Sequence, residues 1–448
     1  MTLYDDLELV RAELTRCMKC GNCMAVCPVY GAGKAESHVA RGKIAVAEAV
    51  LDGRLAVDDP KVVEMLFNCL VCKSCMQTCP TQVQFDRIML ALRAAIVRKQ
   101  GLHRLKELIF GMLRHQQLFD KGMRLGAVMQ GLVFRSHPDQ RAISPRSPFA
   151  AVGKGLGFDG QRLMPALAAT PLRNRFPEVV SPPEVARRVA FFTGCSLNYL
   201  YPDVGEDIVE ILLANKVQVM IPKEQNCCGI AVFVHGDVET ARMLARRNID
   251  AMEQSGADHI VTGCGSCGGA WQHDFQELLS GDPEYAPKAA AWAGKTLDLS
   301  TFLTRVVKYR RPLGVVETTV TYHDSCHLRK SMKVWNEPRQ ILNSIPGVTL
   351  REMAGADKCC GSGGSYVLTH YATSAEIANT KVANIAATGA TTVTTGCPAC
   401  MMQLLDQVGR FGQGQAVRHW ASLLAASYRQ EKNGPLQGPQ DAGATATG

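Results

Sequence analysis

"DKCCGSGGSY", residues 357–366, runs two adjacent cysteines, Cys359 and Cys360, into a glycine-rich turn, and "NCCGI" does the same with Cys227 and Cys228. A disulfide between sequence neighbours is disfavoured, because bridged α-carbons ordinarily stand about 5.5–6 Å apart. The pairs have to be read with the cysteines around them. Cys195, Cys227, Cys228, Cys264 and Cys267 map onto Cys326, Cys359, Cys360, Cys397 and Cys400 with offsets of 131 to 133 residues. The flanks repeat as well: "VAFFTGC" answers "VTYHDSC", and "IVTGCGSC" answers "VTTGCPAC". Such self-similarity reads as a duplicated domain of about 130 residues.

Within each copy, short β-branched runs lead to the cysteines ("RRVAFFTG", "VQVMIP", "DHIVTG"; then "TTVTYHD", "ATTVTTG"), with helical-period segments between them. Strand followed by helix, repeated, predicts an α/β unit with a largely parallel sheet. Cysteines at strand C-termini stand where open α/β sheets hold their ligands.

The remaining eight cysteines form two runs. "CMKCGNCMAVCP" holds Cys17, Cys20, Cys23 and Cys27, and "CLVCKSCMQTCP" holds Cys69, Cys72, Cys75 and Cys79. Each is C-x2-C-x2-C-x3-C-P, in which three thiolates converge on one cluster and the fourth reaches the other. One [4Fe-4S] centre is therefore expected on Cys17, Cys20, Cys23 and Cys79, and a second on Cys69, Cys72, Cys75 and Cys27. A four-thiolate zinc site is the competing reading, disfavoured by two full copies with the trailing proline. The segments "ARGKIAVAEAVLDGRL" and "FDRIMLALRAAIVRKQ" have helical spacing, so this module is expected to be α-helical, with Arg41 and Lys43 near a cluster or on a solvated face.

The repeated group reads C-x31-C-C-x35-C-x2-C and C-x32-C-C-x36-C-x2-C, five thiolates per site. Two neighbouring cysteines fit poorly on one tetrahedral iron but can reach separate irons of a larger cluster, with glycine letting the backbone turn tightly. Cubane and non-cubane geometry are both compatible with the spacing. A variant in which only one repeat holds a cluster is opposed by the full cysteine count.

These motifs resemble the CCG-domain iron–sulfur oxidoreductase subunits: the CCG-bearing subunits of heterodisulfide reductase, the iron–sulfur subunits of glycolate oxidase and lactate-oxidising complexes (lactate dehydrogenase type), and the third subunit of anaerobic glycerol-3-phosphate dehydrogenase. The likeness spans roughly residues 10 to 425. It implies a helical two-cluster ferredoxin module followed by two tandem α/β CCG domains. In heterodisulfide reductases such domains hold non-cubane [4Fe-4S] clusters that cleave a disulfide; in hydroxyacid oxidoreductases they carry electrons from a flavoprotein. "TGCPACMMQL" keeps Cys397 and Cys400, where many glycolate oxidase subunits lose a cysteine.

Composition bounds the rest. The 448 residues are 46% apolar and 6% aromatic, without the roughly 18 consecutive apolar residues of a membrane span. The start "MTLYDDLELVRAEL" lacks a basic segment followed by an apolar core, so no secretory signal and a cytoplasmic location are expected. In a reducing compartment 18 cysteines point to metal rather than disulfides. Residues 87–155 hold thirteen Lys or Arg against three acids, and "LKELIFGMLRHQQLFDKGMRLGAVMQGLVF" sets apolar residues among them at helical spacing. That helix suits a membrane surface, a partner, or the chain's own domains. No nucleic-acid-binding motif accompanies it, and no nucleic-acid partner is expected. G-x-G-x-x-G occurs from Gly263 and Gly155, but the first has Cys264 and Cys267 inside the turn and the second lies in a broken connector. Neither is expected to bind a dinucleotide.

The expected plan is a helical ferredoxin domain over residues 1–100, a basic helical segment and linker over 101–185, a first CCG domain over 186–310, a second over 311–428, and a disordered tail over 429–448. His323 and His327 in "YHDSCHLRK" are candidates for hydrogen bonding at the second CCG site, against plain packing; His235 and Tyr366 are weaker candidates. No residue is assigned a catalytic role. Iron–sulfur clusters pass single electrons and alcohol oxidation releases two, so FAD is expected on a partner dehydrogenase subunit. The expected function is electron transfer from a flavoprotein 2-hydroxyacid dehydrogenase, of lactate or glycolate type, to a quinone, a membrane cytochrome or another carrier such as an electron-transfer flavoprotein. The alternative is a catalytic disulfide reductase, which needs an open cleft between the repeats.

Overall fold

The structure, a computed structural model, describes residues 2–146, 149 and 160–433. The first hundred residues are helical. Ala40–Leu51 (α1), Pro60–Phe67 (α2) and Phe85–Gln100 (α3) carry the apolar residues of one core, including Ile44, Leu66, Ile88 and Leu92. Helix α2 starts where proline suits a first turn: Asp59 caps it by accepting from the Lys61 and Val62 amides, and Pro60 has no amide to orphan. Gly101, at φ +76, ends α3. Arg104–Arg114 (α4) and Gln116–Val133 (α5) follow as the basic pair.

The connector departs from expectation. Phe134–His137 (β1), Ala142–Pro145 (β2) and Met164–Pro165 (β3) form a small antiparallel sheet where the sequence reads as a Pro/Gly-broken linker. Prolines at strand ends or edges leave a ladder possible, and Pro145 and Pro165 each stand last in their strand.

Two parallel sheets hold the repeats. The first has the order β4-β6-β5-β7-β8, from Val179–Val180 (β4), Arg187–Phe192 (β5), Val217–Met220 (β6), His259–Thr262 (β7) and Thr296–Asp298 (β8), with only β4 antiparallel. The second has the order β10-β9-β11-β12, from Thr318–His323 (β9), Val348–Leu350 (β10), Thr392–Thr395 (β11) and Ala416–His419 (β12). Helices Pro202–Ala214 (α6) and Val238–Gln254 (α7) follow strands of the first. Tyr371–Ala387 (α8), Pro398–Phe411 (α9) and Trp420–Asn433 (α10) accompany the second. The sheets share one apolar core, in which Val189, Phe191 and Val261 meet Val320, Tyr322, Trp420 and Tyr428.

Residues 429–433, expected in the disordered tail, instead continue α10. Glu431 anchors them by accepting from the Leu313 amide at 2.6 Å and the Arg310 guanidinium at 2.5 Å. The rest of that tail, from 434, and residues 155–159 of the second glycine motif lie outside the described residues.

Candidate metal centres

All eighteen cysteines are free. Cys17, Cys20, Cys23, Cys75 and Cys79 line one small pocket; Cys27, Cys69, Cys72 and Cys75 line the next. Both runs turn through left-handed residues at matching positions: Lys19 and Gly21 at φ 55 and 88, Val71 and Lys73 at φ 49 and 60. A β-branched valine there is strained by about 1–3 kcal/mol, the kind of cost retained at ligand clamps. Buried Arg93 straps the second run in place. Its guanidinium donates to the carbonyls of Leu66 (2.9 Å), Cys69 (2.8 Å) and, from the first repeat, Val234 (2.7 Å). Lys43 is 0% exposed, donates to the His38 carbonyl at 2.5 Å, and has its pKa lowered by burial against the opposing pull of Cys69, Cys27 and Cys75. Arg41 lines the first pocket and pairs with Glu36 at 2.8 Å.

In each repeat the cysteines gather at the C-terminal ends of the parallel strands. Cys195 and Cys264 follow β5 and β7, Cys326 and Cys397 follow β9 and β11, and the adjacent pairs lie in the loops after β6 and β10. The sulfurs of each adjacent pair touch each other and then different partners: Cys227 also touches Cys195 and Cys228 also touches Cys267, while Cys359 also touches Cys326 and Cys360 also touches Cys400. The glycine that follows makes this possible. Gly229 and Gly361 sit at φ +79 and +90, and their amides donate to Sγ of Cys227 and Cys359 at 3.4 and 3.5 Å. A Cβ on Gly361 would stand 2.5 Å from the Ser374 carbonyl oxygen.

Sulfurs crowded and buried in this way cannot all ionise in the absence of cations among them. Contacts from Cys227 and Cys267 hold Cys228 down at about 5, and Cys267 is pushed up in return. Cys360 is held well below the usual thiol range by Cys359 and Cys400, and Cys400 is raised. Such a donor set fits a multinuclear iron–sulfur group.

The groups also join one another. Cys72 touches Cys359, and the Lys330 ammonium donates at 2.5 Å to Ser74, whose hydroxyl lies 3.3 Å from Cys72 Sγ. Between the repeats Cys264 touches Cys397, and the Gly265 amide donates to the Gly396 carbonyl at 3.2 Å. Sulfur contacts thus run from the helical module through the second repeat to the first.

His323 lies beside Cys360 and Cys400, with its ligand atoms within 4.8 Å of theirs. His327 Nδ1 is 3.6 Å from Cys326 Sγ. His235 contacts Lys106 of α4 and Ser365 of the second repeat, while Tyr366 donates to Asn68 of the helical module at 2.7 Å and packs in one apolar cluster with Cys72 and Cys359. Sequence reasoning missed Lys381, buried at the end of the second site, which donates to the Gly355 and Ala356 carbonyls at 2.6 and 3.1 Å. Its pKa is lowered to about 8 by burial. Arg93 and Lys330 were also missed. The motif from Gly263 belongs to the sulfur group, through Cys264 and Cys267. A cavity of about 510 Å³, lined by Lys34, Lys358 and Lys381 among others, opens between the helical module and the second repeat beside Cys27 and Cys359.

Residues 189–271 and 320–405 match the CCG cysteine-rich domain family, and residues 13–83 match the 4Fe-4S dicluster domain family. The chain is 34% identical over 421 residues to the probable glycolate oxidase iron–sulfur subunit of Bacillus subtilis (strain 168), covering 92% of this chain and 93% of that one. It is 33% identical over 236 residues to lactate utilization protein A of Shouchella clausii (strain KSM-K16), covering 53% of this chain and 98% of that one. A crystal structure of a hypothetical protein from Helicobacter pylori superposes with a TM-score of 0.49 at 9% identity, covering 95% of this chain and 75% of that one.

Proposed function

Since the chain belongs to the family of the glycolate oxidase iron–sulfur subunit, we propose that it is the electron-transfer subunit of a 2-hydroxyacid oxidoreductase of glycolate or lactate type. In this reading Cys17, Cys20, Cys23 and Cys79 hold one [4Fe-4S] cluster and Cys27, Cys69, Cys72 and Cys75 a second. The five cysteines of each repeat hold one more, the repeats being tandem α/β domains. The clusters, when bound, supply one-electron transfer. The chain's own part is to fix the ligands: left-handed turns shape the two short runs, Arg93 ties the second run to the first repeat, and Gly229 and Gly361 turn the backbone so that each paired sulfur meets a different partner cysteine.

The observation that carries a relay is the continuity of the cysteine groups, through Cys72 against Cys359 and Cys264 against Cys397. Disulfide reduction is not favoured. It requires a substrate between the repeats, whereas Cys264 and Cys397 are 4% and 1% exposed and the cavity beside Cys359 opens toward the helical module instead. A hydroxyl oxidised to a carbonyl gives up two electrons, so the partner carries FAD, which takes a pair and releases it singly. The acceptor is a quinone, a cytochrome or another carrier. The subunit sits peripherally on the cytoplasmic face of a membrane, a reading supported by an exposed apolar face on α4 and α5 within the most basic stretch of the chain.

Anaerobic affinity purification from the native host tests the reading. An FAD-dependent hydroxyacid dehydrogenase should come with the chain, and brown colour with iron content should exclude zinc. Recovery of a b-type cytochrome and no flavoprotein would shift the assignment to disulfide reduction.

A further inference from the structure

We propose that His323 is a nitrogen ligand of the cluster held by the second repeat, so that this site is mixed cysteine–histidine where the first is all cysteine. The inference rests on the reading above that the second repeat binds a cluster. A histidine nitrogen and the sulfurs of Cys360 and Cys400 lie within 4.8 Å of one another, and all three residues are buried. The imidazole is 1% exposed, and neither ring nitrogen has a hydrogen-bond partner of ordinary geometry; the Ala356 carbonyl is the neighbouring acceptor. A buried polar group left unpaired costs about 1–3 kcal/mol. That cost disappears if one nitrogen meets iron while the other donates to a backbone carbonyl, the usual support of a metal-bound histidine.

The duplication supplies an internal control. In the first sheet Phe192 pairs with Thr262, two residues before Cys264; in the second His323 pairs with Thr395, two residues before Cys397. Phe192 therefore occupies the place of His323. It packs edge-on against Trp271 with ring centroids 5.5 Å apart, as a core residue should. Leu404 stands where Trp271 stands, four residues past the last cysteine of its repeat, and leaves His323 without an aromatic partner of that kind. Packing alone would favour an apolar residue here, as in the first repeat.

The test uses the full chain, purified anaerobically with its clusters and poised so that the second-repeat cluster is paramagnetic. Pulsed EPR on protein carrying ¹⁴N- or ¹⁵N-histidine should show a strongly coupled histidine nitrogen. The coupling should vanish in His323→Phe and survive in His327→Ser, which mimics Ser196 of the first repeat. If His323→Phe does not assemble, His323→Cys should keep the iron count and still lose the coupling. A cluster signal without histidine coupling, or coupling that disappears with His327 instead, overturns the proposal alone. Iron content and EPR showing no cluster in the second repeat overturn it together with the functional reading.

Discussion

A buried ammonium group beside thiolates favours whatever negative charge they carry, and Lys43 is such a group for the second cysteine run. A reduced cluster is more negative than an oxidised one, so on the proposed ligand set Lys43 would raise the potential of the cluster held there. For a separation on the order of 8 Å at an effective dielectric near 20, one charge is worth about 2 kcal/mol, on the order of 100 mV for one electron. Lys43→Met should lower one cluster potential by roughly that order in an EPR-monitored titration, with iron content unchanged; equal potentials in mutant and parent would refute the role. Cys359→Ser should remove the iron of the second repeat and leave the ferredoxin signals. Unchanged iron and spectra would disprove the ligand set. The grouping of the cysteines was readable because their spacing repeats along the chain. Lys381 was readable only in principle: α7 and α8 are both seventeen residues long, and Lys381 is the eleventh of α8 as Asn248 is of α7. Asn248 bonds the Cys227 carbonyl from that place at 2.9 Å. Arg93 left no such trace, since "LALRAAIV" does not reveal that its arginine turns inward.

At the scale of elements, hydrophobic period separated helix from strand well, because one face of each element is buried. It failed in the connector, where β1 to β3 are two to four residues long and too short to show a period. The period also located α4 and α5 without saying what covers them. Leu108, Val128 and Leu132 are 64, 81 and 69% exposed, and Arg and Lys dominate the surrounding sequence. An anionic membrane surface complements both features. The chain should therefore float with liposomes containing anionic lipid, more weakly as salt rises. Val128→Glu with Leu132→Glu should abolish flotation without lowering the thermal midpoint. Parent protein that stays at the bottom of the gradient would remove the membrane from the account.

Across the whole molecule the duplication was legible, as cysteine offsets of 131 to 133 residues, but the way the copies meet was not. A contact such as Cys264 with Cys397 joins residues whose neighbours do not reveal that the two loops face each other. The helical module is seated on the first repeat just as closely: Gly236, at φ +88, lies so near α3 that a Cβ would stand 2.3 Å from the Arg93 carbonyl oxygen. Gly236→Ala forces a left-handed alanine against backbone and should cost at least about 2 kcal/mol, seen as a lower thermal midpoint. The repeats themselves are bound by the core their sheets share, where α6 packs on α10 and Trp420 is wholly buried. Truncating a buried tryptophan costs about 3–5 kcal/mol. Because that core belongs to both sheets, Trp420→Ala should loosen both. Hydrogen exchange should speed up in β5 and β7 as well as in β9 and β11. Loss of protection confined to β12 and α10 would mean that the repeats are stable apart, and that the sulfur contact between them depends on the clusters alone.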